Sequence, residues 1–504
     1  MLAFASGSGT RYYEATGPDI QLLLALITDV VAVGVILFFC FRQMSSGSRI
    51  VRIASKAVVV FLAIFALWQL ETAALLLVLK IGTRTSIRAA VTLMPWVLLL
   101  GFWIRWRVQA QRAVRFFFLI FSPLFFVLAV NGTWQYTTTA KSIVRGNGAG
   151  MLPVKQSQSR VIWVIFDEFD YRLLTGARAH RLVLPEFDRL AAESMSGTHV
   201  KAPGHETLSS IPSLLTGRIV EEEQPRPADL RIQFRGSDGW ENFRSYPNLF
   251  TKTRAAGFNA GISGWFHPYC RVLGSEVSDC AWDNGGFPFL YVQHHLKDKP
   301  FYEQAAYLLA WQAKAVPFVL ESMTSPDPAP DEGRVERDKG ISTLRNVLDG
   351  GLRMLRNRDL NLVYIHLPIP HPPGLWDVAA ERFTDGPSDY VDNLKLADLT
   401  FGRIRRTLEE TGDWDSSAVL VSSDHPYRPE LWSDSPYWTE EIAGLTRSQW
   451  QPLIPFFLKM PKQRQGVTYD REFNSVVSAD LLFQLLQGNL RSADDVAHWL
   501  DQKK

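Results

Sequence analysis

The chain has 504 residues, with 53 Lys or Arg against 51 Asp or Glu, a formal net charge of +2. That balance excludes a global electrostatic pull toward nucleic acid, and the length allows two or three domains. Three cysteines exclude a disulfide scaffold. Apolar residues are spread unevenly, and nearly all the membrane-grade apolarity lies before residue 132.

The first 19 residues are polar and rich in Gly, Ser and Thr. They lack the basic start and cleavage site of a signal peptide, so removal is not expected. Apolar segments follow at about 20–41, 57–79, 89–104 and 116–130, which predicts an α-helical transmembrane domain of about four helices over residues 1–131. A spanning helix needs roughly 17–25 residues, so the last two must draw on their flanks. Buried core helices are the alternative, but four such segments crowded between basic loops favour membrane spans.

Positive charge sets the orientation. Arg42, Arg49, Arg52 and Lys56 mark the first loop, and Arg105, Arg107, Arg112 and Arg115 the third. The second has Lys80, Arg84 and Arg88, and the amino end only Arg11. The expectation is a multi-pass protein of the inner or plasma membrane, with both termini on the periplasmic or extracellular side. Asp29 and Glu71 fall inside spans, where acids are functional candidates by default. Helix association is the preferred role for Asp29; Glu71 stays open as part of a polar cavity for a lipid.

Residues 132–159 turn polar, with Gly146, Gly148 and Gly150, and read as a linker. Residues 160–504 alternate apolar strands with amphipathic helices, the pattern of a doubly wound, mostly parallel α/β sheet. Two charged stretches, 221–242 and 325–338, read as surface insertions. The first strand, Val161 to Phe166, breaks into Asp167-Glu168. Ligands bind at the carboxyl ends of such strands, and two acids there need a compensating charge, which a bound cation supplies. Leu362 to Leu367 runs likewise into Pro370-His371-Pro372-Pro373, and Ala418 to Val421 into Ser422-Ser423-Asp424-His425. A long helix over 390–410 carries Asp392 and Asp398, read as a solvated face. Cys270 and Cys280 bracket a short polar loop; outside the cytoplasm they are expected to pair, with two free thiols as the alternative. Metal binding by them is less favoured without companions at zinc spacing, and Cys40 is expected to be inert.

The segment Ala202-Pro203-Gly204-His205-Glu206-Thr207-Leu208-Ser209-Ser210-Ile211-Pro212-Ser213-Leu214-Leu215-Thr216-Gly217-Arg218 resembles the nucleophile segment of the sulfatase-like branch of the alkaline phosphatase superfamily. There the reactive residue opens a helix and lies nine positions before the Thr of a closing Thr-Gly pair, which corresponds to Thr207. Leu184-Pro185-Glu186-Phe187-Asp188-Arg189-Leu190-Ala191 is similar to the run after that family's first strand. Pro370-His371-Pro372 resembles its substrate-contacting histidine turn, and Ser423-Asp424-His425 its Ser-Asp-His metal motif. Leu453 to Pro461 looks like its late strand. The resemblance implies one divalent metal held by Asp167, Thr207, Asp424 and His425, with Glu168 as a further ligand candidate. Zinc or manganese suits that donor set, with magnesium or calcium for oxygen-rich variants. Thr207 would be the nucleophile, and His371 would stabilise the transferred group or protonate the leaving group. His366 has no counterpart and reads as a core residue or one behind the ligands.

Sulfatases oxidise a cysteine or serine within a Cys/Ser-x-Pro-x-Arg motif, where this chain has Thr207, Ser209 and Ile211. Threonine cannot form that aldehyde. Threonine nucleophiles are similar instead to those of lipoteichoic acid synthases, phosphoethanolamine transferases and nucleotide pyrophosphatases. The pyrophosphatases hold two metals, with an Asp four residues before the histidine, where Leu367 stands, so one metal is implied. Two departures are Pro426 in place of the family's Gly and Asp167 in place of the transferases' usual Glu. The implied function is a membrane-anchored phosphotransferase or phosphohydrolase, moving a phosphorylated headgroup from a membrane lipid to a lipid or glycan acceptor. No nucleic-acid partner is expected, and the oligomeric state is open. One alternative is a sulfatase-like hydrolase of sulfate or phosphate esters on extracellular glycans. Another is an inactive membrane assembly or binding protein, against which the complete set of Asp167, Thr207, Asp424 and His425 argues.

Overall fold

The computed structural model describes residues 20–59, 148–155, 160–283, 299–306, 330–433, 438–447 and 452–503, less a few single positions, together with isolated residues between 105 and 130. The chain divides into two compact units, one of Met1–Ser6, Pro18–Ala140 and Gln293–Asp327, the other of Gly7–Gly17, Lys141–Val292 and Pro328–Lys504.

In the first unit, helix α1 (Ile20–Ser46) contains an apolar window, Ile27–Met44, long enough to cross a membrane by length and composition. Val31, Val35, Phe38 and Phe39 are exposed along it, the outward apolarity that a lipid-facing or signal helix carries and a soluble one avoids. Asp29 is buried. Residues 49–59 are helical, so the basic run Arg49, Arg52 and Lys56 lies on a helix and not in a loop. The span predicted at 89–104, most of those at 57–79 and 116–130, and Glu71 lie outside the described residues. Among the described residues one helix meets the length and composition of a span, so the expected four-helix bundle is not supported.

The second unit is mixed α/β around a mostly parallel sheet. Its strands are β1 (Arg160–Asp167), β2 (Met195–Gly197), β3 (Ala260–Trp265), β4 (Asp279–Asp283), β5 (Leu362–Pro370), β6 (Ser417–Ser423), β7 (Phe456–Lys459) and β8 (Val467–Tyr469), in the order β8-β2-β7-β6-β1-β5-β3-β4. The helices that matter below are α2 (Pro185–Ala192), α3 (Thr207–Thr216), α4 (Tyr269–Val272), α5 (Pro330–Arg356) and α6 (Tyr390–Glu410). Alternation along β1 sends side chains to two cores. Val161, Trp163 and Ile165 pack with Ile211, Leu214 and Leu215 of α3. Ile162, Val164 and Phe166 pack with α2, α5 and α6 through Phe187, Leu348 and Phe401. A strand covered on both faces reads as an unbroken apolar run.

Strand β7 runs antiparallel to both β6 and β2. Its four residues are all buried, so composition cannot tell it from a parallel strand. The stretch expected as a surface insertion at 221–242 is instead a three-stranded antiparallel sheet (Val220–Pro225, Leu230–Phe234 and Trp240–Asn242). Leu230, Ile232 and Phe234 are buried in the first core while Arg231 and Gln233 between them are half-buried. The second expected insertion, from Pro330 onward, is the amino end of α5. Asp398 is fully buried, not solvated as expected. Its Oδ1 accepts from Glu186 N at 2.9 Å and Phe187 N at 3.0 Å, so α6 caps the amino end of α2 across space. Asp392 closes a capping box with Asp389 at the start of its own helix.

Candidate active site

Three strand ends and one helix start meet here. β1 and β5 pair one to one through Phe166 and Leu367, after which Asp167 pairs with Pro370. This bulge brings His371 N to Asp167 O at 3.2 Å. At the end of β6, Ser423 Oγ accepts from Phe169 N at 2.9 Å and lies 2.9 Å from Phe166 O, fastening β6 to β1.

Thr207 opens α3 and is buried. Its Oγ1 donates to Asp167 Oδ2 at 3.3 Å and lies 3.2 Å from His425 Nε2. Glu206 supplies no side-chain cap, so the first-turn amides and the positive end of the helix dipole remain for an anion. The helix closes at Gly217, in left-handed backbone with φ 74°.

Asp167, His366 and Asp424, all fully buried, offer ligand atoms within 4.8 Å of one another. His366 Nε2 stands 3.9 Å from Asp167 Oδ2 and 3.9 Å from Asp424 Oδ2. His366 Nε2 and Asp424 Oδ2 are buried without a hydrogen-bond partner, and Asp167 Oδ1 faces His425 Nε2 at 3.2 Å. Each orphaned polar atom costs about 1–3 kcal/mol in a dry pocket. A divalent cation among them removes the cost at every atom, so these residues fit the metal that sulfatase-like enzymes use.

The imidazoles are prepared for that role. His366 Nδ1 lies 2.8 Å from Tyr269 Oη, which lies 3.2 Å from Tyr364 Oη. With the proton on Nδ1, the Nε2 lone pair is free. Burial lowers the His366 pKa to about 4, so the ring is neutral. A Cβ at Gly264 would collide with the Tyr269 ring, so only glycine leaves room for that hydroxyl. His425 Nδ1 lies 2.9 Å from Pro426 O, which turns Nε2 toward Thr207. Burial disfavours a charged His425, but the Asp424 and Asp167 carboxylates outweigh it and raise its pKa to about 9. Burial and the neighbouring Asp167 push Asp424 up.

Glu168 is not among the three residues whose ligand atoms converge. It takes left-handed backbone with φ 65°, and its Oε1 accepts from Arg428 N at 2.6 Å. Burial pushes its pKa up to about 8 while Arg428 pulls the other way. His371 is half-buried, with Nδ1 2.7 Å from Pro372 O and its ring 5.2 Å from Trp265. Burial lowers its pKa to about 4. Cys270, on α4, is disulfide-bonded to Cys280 on β4, and Cys40 is the free cysteine.

Sequence reading missed His366, Tyr269 and His267. His267 follows β3, and its Nε2 donates to Thr207 O at 3.0 Å, holding the turn that presents the hydroxyl. An apolar strand running into Phe266-His267-Pro268 is the same signal that marked Asp167 and Asp424.

A mostly parallel sheet with two carboxylates, imidazoles and a helix-opening hydroxyl at its carboxyl edge defines a metal-dependent hydrolase or transferase of the alkaline phosphatase superfamily. The model of the sulfatase family matches residues 159–487, and the chain belongs to that family as a sulfatase-like enzyme. Solved structures with a similar chain include the phosphonate monoester hydrolase of Silicibacter pomeroyi, at 14% identity over 67% of this chain and 78% of that one, with a TM-score of 0.38. The lipoteichoic acid synthase LtaP of Listeria monocytogenes is 15% identical over 67% of this chain and 76% of its own, with a TM-score of 0.39. A protein of a Bacteroides thetaiotaomicron glycosaminoglycan-metabolism locus is 12% identical over 67% and 79%, with a TM-score of 0.43. No curated protein matches the chain.

Proposed function

We propose that this is a membrane-anchored phosphotransferase or phosphohydrolase working through a covalent intermediate on Thr207. The observation that carries the reading is the buried Thr207 Oγ1, 3.3 Å from Asp167 Oδ2 and 3.2 Å from His425 Nε2 at the start of α3. Asp167, Asp424, His366 and His425 would hold one divalent metal, zinc or manganese from the mix of carboxylate and imidazole donors. When bound, that ion supplies positive charge beside the hydroxyl and the phosphoryl group.

Thr207 Oγ1 attacks phosphorus as its proton passes to the site's base, for which Asp167 Oδ2 is the hydrogen-bonded acceptor. The bond from phosphorus to the donor's leaving oxygen breaks, and that oxygen takes up the proton given up by Thr207, passed on from Asp167. The amide groups at the start of α3 receive a phosphoryl oxygen. His371, whose Nδ1 is committed to Pro372 O, has Nε2 left for the transferred group. An acceptor hydroxyl or water then displaces Thr207. The substrates proposed are a membrane lipid carrying a phosphorylated headgroup and a lipid or glycan acceptor. Withholding the acceptor should leave a covalent phosphoryl group on Thr207, bare from an activated phosphate monoester and still carrying the headgroup from a phospholipid, read by intact mass and peptide mapping. Phosphate on another residue would sink the reading.

The organisation proposed with it is a transmembrane domain over 1–131 with about four spans, a linker over 132–159 and a catalytic domain over 160–504 outside the cytoplasm. The joined Cys270 and Cys280 support an oxidising location. Thiol labelling of unreduced, denatured protein from cells should therefore find Cys40 alone. Labelling of all three cysteines would reject both the pairing and the placement.

A further inference from the structure

We infer that Arg428 binds the anionic group in this site, its guanidinium taking a non-bridging oxygen of the phosphoryl group while Glu168 holds the arginine in place. The inference rests on the proposed phosphoryl chemistry and adds the residue that recognises the anion.

Charge requires such a group. Asp167 and Asp424 bury two carboxyls where the strand ends meet. A divalent cation offsets those two negative charges and leaves no positive charge over. Without a further cation an incoming phosphoryl anion would enter a low-dielectric site with no net attraction.

Arg428 lies three residues past His425, in the loop leaving β6. Its side chain is 18% exposed, buried enough to be held yet open to a ligand. The backbone N donates to Glu168 Oε1 at 2.6 Å, fixing the loop. Arg428 Nε stands 3.7 Å from the same oxygen, which is ion-pair range but not a hydrogen bond. That Nε is buried with no hydrogen-bond partner. The guanidinium is therefore held beside one carboxylate with its Nε still unsatisfied as a donor, a state suited to receiving an anion. Glu168, which holds the arginine, is itself tied to the ligand set, its backbone N donating to Asp424 Oδ1 at 3.3 Å. The left-handed backbone of Glu168 places its Oε1 against the arginine loop.

The test uses the purified full chain, metal-loaded, with inorganic phosphate as the probe and bound metal quantified in every sample. Replacing one charge-assisted contact should weaken phosphate binding about 10- to 100-fold in Arg428→Gln. Arg428→Lys, which keeps the charge but loses the fork, should fall between, and metal content should not change. Should Arg428→Gln fail to fold, Arg428→Lys decides alone by a several-fold loss. Equal phosphate affinity in the variants, no phosphate binding by the unaltered chain, or a loss that tracks lost metal would overturn the inference. Repeating the series on Thr207→Ala separates it from the nucleophile assignment. Dependence on Arg428 should persist there, even if phosphate is trapped on another residue.

Discussion

Thr207→Ala should abolish turnover while leaving a folded, metal-loaded protein. The loss expected is about a thousandfold or more, because removing a nucleophile eliminates the covalent route and leaves only binding and electrostatic preorganisation. The fold should tolerate the change. Thr207 Oγ1 makes two long contacts, 3.3 Å to Asp167 Oδ2 and 3.2 Å to His425 Nε2, and His267 holds the backbone of α3 through Thr207 O, not through the side chain. Thr207→Ser keeps the hydroxyl and should retain part of the activity, which separates loss of the oxygen from loss of packing. Measured turnover, bound metal and the denaturation midpoint together check this. Undiminished turnover in Thr207→Ala would leave the fold standing and remove the mechanism.

Much of this site is legible without coordinates because parallel strands buried on both faces leave a plain trace. Val161 to Phe166 and Ala418 to Val421 are unbroken apolar runs, and the polar residue ending each must sit at a carboxyl edge. Asp167 and Asp424 fall out of that rule, and β1 and β6 are adjacent as it requires. His366 does not. It lies inside a strand and not at its end, and the bulge that separates Phe166 from Asp167 in register is invisible in composition. The left-handed backbone of Glu168 and the contact of its Oε1 with Arg428 N are equally invisible in the sequence, because adjacency to Asp167 says nothing about φ. Asp398 misled for a similar reason. A charge on an amphipathic helix reads as solvated unless another helix brings uncapped amides against it, and α2 does so from over two hundred residues away. The antiparallel β7 and the buried face of the 220–242 sheet depend on pairings that local pattern does not carry.

Asp424→Asn should cost both the metal and the activity, and it should do so without loosening the scaffold. Asp424 Oδ1 accepts from His425 N at 2.9 Å and from Glu168 N at 3.3 Å, and an asparagine carbonyl serves both. Its Oδ2, buried without a hydrogen bond, is the atom exchanged for an amide nitrogen that cannot ligate. Metal affinity should fall at least about 100-fold, since even residues behind the ligands are worth 10- to 100-fold. The unaltered chain should also bind metal more tightly as pH rises. Without the ion, His425 is an imidazolium held between two carboxylates, its pKa raised from 6.5 to about 9. A raised pKa contributes stability that is complete below the ordinary value and is lost as pH climbs through the folded one. The metal-free protein should therefore lose stability between pH 6.5 and about 9, while metal binding, which must displace the His425 proton, strengthens across the same window. Calorimetry in buffers of different ionisation enthalpy reads that proton directly. Near pH 7.5 about one proton should leave per ion bound. In Asp424→Asn, where the carboxylate that most raises His425 is gone, proton release should shrink and its window move to lower pH. Metal binding that ignores pH, or an Asp424→Asn protein that holds its metal as tightly as the unaltered chain, would remove Asp424 from the ligand set and leave His366 and Asp167 without the partner that makes them a site.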